Sequence, residues 1–241
     1  MSRSSSSASL LQLSDVDCFY GELQVLRKAD LHIDPGEVVA LFGPNGHGKS
    51  TLLKAISGIN PPRSGSILFN GTDITRASSD RIVEMGLAYI PEARNIFNEM
   101  TVLENLRLGA YNRRARRKVD QNLDFVFSLF PRLDERKSQM AATLSGGESR
   151  MLAVGRGLMS DAKLLLIDEP SIGLSPLMKK TVFSAINRIK KTTDISVLVV
   201  EQEVDYALAV AERIFLLNKG EVRLAGVAGE ISKTEIEQAY F

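Results

Sequence analysis

Three short motifs hold the residues whose types and spacing could carry out phosphate chemistry. The segment 43–50 reads Gly-Pro-Asn-Gly-His-Gly-Lys-Ser, which fits the phosphate-loop spacing G-x-x-x-x-G-K-[ST]. The segment 144–148 reads Leu-Ser-Gly-Gly-Glu, and Asp168 and Glu169 directly follow the apolar run 164–167. The first motif alone predicts that a nucleoside triphosphate binds, and the other two narrow the kind of protein that uses it.

The glycine-rich loop predicts how the phosphates are held. Its glycines let successive backbone N–H groups point at the β-phosphate, and the N-terminus of the following helix adds positive potential. Lys49 supplies a point charge to the β- and γ-phosphates, and the Ser50 hydroxyl is a predicted Mg²⁺ ligand. His47 occupies a variable position of the motif and is not expected to take part in catalysis. The nucleotide-binding residues predicted in this loop are Gly43, Pro44, Asn45, Gly46, His47, Gly48, Lys49, Ser50 and Thr51.

The two carboxylates at the end of the apolar run have different predicted roles. Asp168 ends a buried strand, so its carboxylate emerges at the carboxyl edge of the sheet, beside the phosphates, where it is expected to orient Mg²⁺ through a water molecule. Glu169 is the predicted catalytic residue that polarises the attacking water. The alternative is that Asp168 and Glu169 are only the polar end of a strand and have no catalytic role. Their position shortly after the Leu-Ser-Gly-Gly-Glu motif disfavours this alternative.

The segment Ser145 to Glu148 is open to two interpretations that do not exclude each other. A serine followed three residues later by glutamate is a capping box, which predicts an ordinary helix start. The same helix start would present backbone N–H groups and a helix dipole to an anion.

The chain around these motifs predicts an α/β protein. The runs 38–42, 163–167 and 196–200 are apolar and predict buried parallel strands, and the first of them leads through the glycine loop into a helix that ends near Gly58. Asn70-Gly71 and the segment 218–220 predict hairpins. From Thr101, which starts a second capping box, to about Met159, the pattern predicts helices.

Composition limits the classes of protein that fit. The 241 residues carry a formal net charge of +1, so a nucleic-acid partner held by bulk electrostatics is not expected. A single cysteine precludes an intramolecular disulfide and fits a reducing compartment. We expect a cytoplasmic protein, because no apolar run approaches the roughly 18–20 residues that cross a bilayer. Residues 1–9 are serine-rich and predict a disordered tail.

All three motifs together resemble the ATP-binding cassette of ABC transporters. The resemblance implies a P-loop NTPase fold of the ABC ATPase type, with a mixed core sheet, an antiparallel β subdomain and an inserted helical lobe. It implies one ATP-binding domain over 10–241, with the core and its antiparallel part at 10–92 and 160–241 and the helical lobe at about 93–159. ATP and Mg²⁺ are the implied cofactors.

The resemblance also implies roles for residues outside the phosphate loop. Tyr20 resembles the aromatic residue that stacks on adenine, and Glu92 stands where most members carry a glutamine that reaches the nucleotide and the metal. Gln202 replaces the usual histidine that senses the γ-phosphate, and is the second predicted catalytic residue. The start of the helix at the Leu-Ser-Gly-Gly-Glu motif is implied to face the γ-phosphate bound by the opposite subunit, using Ser145, Gly146 and Gly147.

Departures from the usual family pattern narrow the resemblance. Pro-Glu-x-Arg at 91–94, Gly-Leu-Ser-Pro at 173–176 and Val-Glu-Gln at 200–202 are together similar to one of the two ATPases of branched-chain amino acid importers. Importers of urea or short amides share this pattern, and lipopolysaccharide-export ATPases are similar overall. A soluble ABC protein of translation or DNA repair is disfavoured because tandem cassettes and long coiled-coil insertions are absent. A GTP-type switch is disfavoured because 218–221 departs from the Asn-Lys-x-Asp motif.

The resemblance to this family also implies partners. These are a second ABC ATPase subunit, identical or related, integral membrane permease subunits and, indirectly, a solute-binding protein. The chain is then expected on the inner face of the cell membrane, held there by the permease. A neutral amide at position 202 also predicts slow hydrolysis by the chain alone and a related partner ATPase that retains the histidine.

Overall fold

The structure, a computed structural model, describes residues 9–240. The predicted tail therefore lies, except for Ser9, outside the described residues. Two sheets form the framework: a four-stranded sheet of order β2-β1-β4-β5 and a six-stranded sheet of order β10-β9-β3-β8-β7-β6. The strands are β1 Leu11–Tyr20, β2 Leu23–Ile33, β3 Val38–Phe42, β4 Ser64–Phe69, β5 Thr72–Asp73, β6 Leu87–Ile90, β7 Leu164–Asp168, β8 Ser196–Val200, β9 Arg213–Asn218 and β10 Glu221–Val227.

The smaller sheet is antiparallel. The long β1 pairs with β2 on one side and β4 on the other, and β4 turns into β5 through Asn70 and Gly71. Both turn residues have positive φ, 49° and 74°, which is the backbone that a two-residue hairpin requires. The predicted hairpin at this position is confirmed.

The larger sheet is parallel at its centre. β3 lies between β8 and β9, β8 pairs with β7, and β7 pairs with β6, all in parallel, while β10 returns antiparallel to β9 through the second predicted hairpin. The predicted strands at 38–42 and 196–200 have the predicted bounds, and the one predicted at 163–167 is shifted by one residue. Because parallel strands end at the same edge, β3, β8, β7 and β6 deliver the residues that follow them to one side of the molecule.

The helices cover both faces of the larger sheet. The side chains of β3 alternate between two hydrophobic cores: Val38, Ala40 and Phe42 face one core, and Val39 and Leu41 face the other, which also contains the apolar side of the smaller sheet. The helices are α1 Lys49–Ile56, α2 Ser79–Met85, α3 Val102–Gly109, α4 Val119–Leu129, α5 Pro131–Glu135, α6 Gly146–Leu158, α7 Pro176–Thr192, α8 Val204–Leu208 and α9 Lys233–Tyr240. Within residues 9–240, none of these helices is long and apolar enough to cross a membrane.

Local sequence signals set the starts of three of these helices. Thr101 caps α3 and Ser145 caps α6, each in a complete capping box with the glutamate three residues later, as the sequence predicts. Ser175 caps α7, whose first residue is Pro176. The α6 box fixes the direction in which the Leu-Ser-Gly-Gly-Glu motif enters its helix.

Candidate functional site

The glycine loop between β3 and α1 is shaped by two close approaches of backbone. A Cβ at Gly43 would lie 2.1 Å from the Leu217 carbonyl oxygen, and a Cβ at Gly48 would lie 2.8 Å from the Leu26 side chain. Gly48 also has a φ of +106° and directly precedes the first residue of α1. Glycine is therefore required at both positions, and the free N–H groups at the start of α1 face the loop.

The Lys49 ammonium is buried inside this loop. It donates hydrogen bonds to the Gly43 carbonyl (2.7 Å) and the Pro44 carbonyl (3.1 Å), and it lies 3.7 Å from the Glu169 carboxylate. Burial lowers the pKa of Lys49, while the negative charges of Glu169 and Asp168 oppose that shift. The loop thus holds a desolvated positive charge where an anion can approach it.

The Asp168 carboxylate lies at the end of β7, in the interior. Burial raises the pKa of Asp168, whereas the hydroxyls of Ser50 and Tyr89 lower it. The Tyr89 hydroxyl donates to Oδ2 at 3.1 Å, whereas Oδ1 is buried and has no hydrogen-bond partner among residues 9–240. A buried carboxylate oxygen without a partner, next to a serine hydroxyl, is a donor set that suits Mg²⁺.

Glu169 and Gln202 are in direct contact. The Gln202 side-chain amide donates to Glu169 Oε2 at 2.6 Å. The backbone of Glu169 has a φ of +45°, and its N–H donates to the Val200 carbonyl at 3.0 Å. A positive φ is strained for a glutamate, and strain of this kind is held where the surrounding structure fixes a functional side chain.

A cavity of about 320 Å³ opens above the phosphate loop. Six predicted residues of the loop line it, together with three of the other predicted residues and Ile172, which sequence reasoning did not single out. The predicted residues in this lining are Asn45, Gly46, Gly48, Lys49, Ser50, Thr51, Glu92, Glu169 and Gln202. Strand ends distant in the sequence therefore meet at one polar opening.

Five predicted residues from the phosphate loop, β1 and β7 lie outside this lining: Tyr20, Gly43, Pro44, His47 and Asp168. His47 turns towards the β9–β10 hairpin, where its Nδ1 accepts the Lys219 N–H at 3.1 Å. Tyr20 is the last residue of β1 and is 46% exposed, outside the lining of the cavity. Pro44 contributes its carbonyl to the Lys49 ammonium and likewise does not line the cavity.

The Leu-Ser-Gly-Gly-Glu motif is separate from the cavity. Ser145 is exposed and Gly146 is half-buried, whereas Gly147 is packed against Met178, whose side chain lies 2.3 Å from where a Cβ would stand. None of the three residues lines the cavity above the phosphate loop. The two predicted phosphate-binding features therefore lie in separate places on one chain.

Glu201 is a buried site residue that sequence reasoning mentioned only as part of a motif. Its carboxylate accepts the Ser171 N–H at 3.0 Å, the Ser171 hydroxyl at 2.9 Å and the Gln202 N–H at 3.2 Å. Burial raises the pKa of Glu201, whereas these hydrogen bonds lower it. Glu201 ties the segment that follows Glu169 to the end of β8. Tyr89 was also missed, and neither residue has a local signal that reveals its partner.

Comparison with known families identifies the architecture. The family model described as "ABC transporter" matches residues 26–172, which include all three motifs. The structure is similar to the ADP conformation of an ATP-binding cassette of an ABC transporter, with a TM-score of 0.81 and 25% identity, over 96% of this chain and 94% of that one. The predicted fold is confirmed.

Two relatives are both named as ATP-binding proteins of branched-chain amino acid transport. The chain is 38% identical to the high-affinity branched-chain amino acid transport ATP-binding protein BraG of Pseudomonas aeruginosa, over 96% of this chain and 99% of the relative. It is 36% identical to the probable branched-chain amino acid transport ATP-binding protein LivF of Archaeoglobus fulgidus, over 94% and 95%. The chain therefore belongs to the ATP-binding subunits of ABC transporters, and it is an ATPase.

Proposed function

We propose that this chain energises an importer of branched-chain amino acids, by binding and hydrolysing ATP between itself and a second ATPase subunit. The observation that carries the proposal is the division of the phosphate-binding features: Lys49 and Glu169 share one cavity, whereas Ser145 lies on a surface apart from it. A second subunit that brings its own copy of that surface over the cavity completes the site. The names of the BraG and LivF relatives support the substrate class.

Within the cavity, the phosphates are held by the loop and by Lys49. The free N–H groups at the start of α1 and the ammonium both act on negative charge in a place with little water. Tyr20, at the end of β1, is proposed to stack on adenine, which its exposed ring permits.

Ser50, Asp168 and Glu92 are proposed to hold Mg²⁺. The unpartnered Oδ1 of Asp168 and the polar cavity beside it support this assignment. When bound, Mg²⁺ neutralises charge on the β- and γ-phosphates. Three protein ligands would be enough, because Mg²⁺ usually takes its remaining ligands from phosphate oxygens and water.

Glu169 is proposed to orient the attacking water, with Gln202 holding its carboxylate. The 2.6 Å hydrogen bond keeps Glu169 Oε2 in place, and Oε1 lies on the side of Lys49. Gln202 donates without carrying charge, so it supports the carboxylate but stabilises developing negative charge less than a protonated histidine would. This is the basis for slow hydrolysis by the chain alone.

An apolar groove beside Glu92 is proposed to receive the membrane permease, which holds the chain at the inner face of the membrane. The groove encloses about 400 Å³ and runs past Pro91, and the exposed side chains of Phe97, Leu108 and Tyr111 line it. Contact here reaches the loop that carries Glu92. The groove borders the proposed helical lobe, 93–159, which contains all of α3 to α6.

Reconstitution tests the function. The chain is combined in liposomes with the permease subunits and a related partner ATPase of the same source, the solute-binding protein is added outside, and uptake of labelled leucine, isoleucine and valine is followed with ATP inside. We expect ATP-dependent uptake that is lost with Glu169→Gln. Uptake of urea or sulfate in place of these amino acids would contradict the substrate class.

A further inference from the structure

Arg150 forms an unusual contact in the second turn of α6. Its side chain is 1% exposed. Nη1 donates to the Pro91 carbonyl at 3.1 Å, and Nη2 donates to the Glu92 carbonyl at 2.7 Å. Two successive carbonyls of the loop after β6 are thus held by one planar guanidinium, the geometry that arginine offers and lysine does not.

This guanidinium is buried without a direct salt bridge in the part of the chain that the structure describes. No Asp or Glu oxygen lies within 4.0 Å of it among residues 9–240, and its Nε has no hydrogen-bond partner there. Burial lowers the pKa of Arg150. A buried charge of this kind destabilises a fold unless hydrogen bonds and nearby opposite charges compensate it. The two loop carbonyls are its direct hydrogen-bond contacts, and the carboxylates of Glu92, Asp168 and Glu201 attract it from beyond salt-bridge distance.

The loop that Arg150 holds joins the two phosphate-binding features. Its Glu92 side chain lines the cavity above the phosphate loop. Two residues further on, the Arg94 guanidinium lies 3.0 Å from where a Cβ of Gly146 would stand, at the start of α6. The loop is therefore hydrogen-bonded to α6 through Arg150, immediately behind Glu92, and lies close to the start of α6 at Arg94.

We propose that Arg150 is a positioning residue that fixes the Glu92 carboxylate over the nucleotide cavity from the helix that begins at the Leu-Ser-Gly-Gly-Glu motif. The proposal rests on the role of Glu92 in holding Mg²⁺. Arg150 does not line the cavity above the phosphate loop. Its effect is therefore confined to the part of ATP affinity that depends on Mg²⁺.

The test compares ATP affinity with and without the metal. Titration calorimetry measures the ATP Kd of the purified chain in excess Mg²⁺ and in EDTA, and the ratio gives the gain from Mg²⁺. Arg150→Met is expected to leave the Kd in EDTA within twofold of wild type and to reduce the gain by about tenfold or more, the order of one lost charged hydrogen bond. Arg156→Met is the matched control, because Arg156 lies on the same helix and contacts the Phe97 ring instead. It is expected to keep the gain.

A second substitution separates positioning from general damage. In a Glu92→Ala chain, Arg150→Met is expected to have no further effect on the gain, because the carboxylate that it positions is absent. Equal weakening of both Kd values, or a full additional loss in the Glu92→Ala chain, would show a merely structural role. If the wild-type chain binds no ATP, the proposed function fails. If it gains affinity from Mg²⁺ and Arg150→Met keeps that gain, this inference alone fails.

Discussion

Replacement of Lys49 by methionine removes the one positive side chain within the cavity lining and keeps a similar length. At the 3.7 Å that separates its ammonium from the Glu169 carboxylate, two unit charges attract by about 4 kcal/mol at an effective dielectric constant near 20. A phosphate oxygen that approaches as closely gains a similar gross energy. Part of it is offset, because the ammonium is already hydrogen-bonded to two carbonyls.

The net loss of ATP-binding free energy in Lys49→Met is therefore expected to be that of one hydrogen bond to a charged group, about 1.5–3 kcal/mol. That range corresponds to a rise in the ATP Kd of about 10- to 150-fold. Calorimetric titration of the purified chain with Mg-ATP measures it. Lys54→Met is the control, because Lys54 lies on the same helix and outside the lining of the cavity.

Two results would contradict this role of Lys49. One is a Kd for Lys49→Met within twofold of wild type. The other is an equal rise for Lys54→Met, which would trace the loss to helix α1 as a whole. Circular dichroism of all three chains establishes that they are folded before the titrations are compared.

Three further predictions concern other parts of the site. Tyr20→Ala is expected to weaken ATP binding by about 1–3 kcal/mol, with only a modest preference for ATP over GTP in the wild type; unchanged affinity in calorimetry would leave Tyr20 outside the adenine site. Burial raises the pKa of Asp168 above its ordinary value of 3.8. Its ionised form therefore destabilises the nucleotide-free fold above the raised pKa, and this penalty disappears below the ordinary pKa. Asp168→Asn is thus expected to raise the melting temperature at pH 7 and to leave it unchanged near pH 3, and a lower melting temperature at pH 7 would contradict the sign. Glu201→Gln replaces a carboxylate oxygen by an amide N–H₂, which cannot accept a hydrogen bond from Ser171 or Gln202. The substitution is therefore expected to reduce the unfolding free energy by about 1–3 kcal/mol, measured by urea denaturation.

Local signals account for most of the sequence predictions that the structure confirms. The phosphate loop, the Asn70-Gly71 hairpin and the two capping boxes each depend on residues within a few positions of one another. The backbone geometry of such a segment is set by its own glycines and hydrogen bonds, so its sequence is sufficient. The carboxyl-edge position of Asp168 also follows from sequence, because an apolar run of this length reads as a buried parallel strand.

The missed contacts join residues that are far apart along the chain. Arg150 reaches carbonyls 58 and 59 positions away, and Tyr89 reaches Asp168 across 79 positions. Glu201 contacts a serine 30 positions before it. A long side chain in an amphipathic helix, or a tyrosine in a strand, has no local pattern that specifies such a partner, because the packing of the sheet and helices decides it.

The most direct test of the divided site is Ser145→Arg, which alters the helix start that lies outside the cavity. The purified variant is expected to bind Mg-ATP within twofold of wild type, because the lining of its own cavity is unchanged. In the complete transporter the same variant is expected to lose ATP turnover, because the arginine blocks the phosphate site of the opposite subunit, and this loss is expected to exceed that of Gln202→Ala. A variant that binds ATP as weakly as Lys49→Met, or one that turns ATP over at the wild-type rate in the transporter, would contradict the divided site.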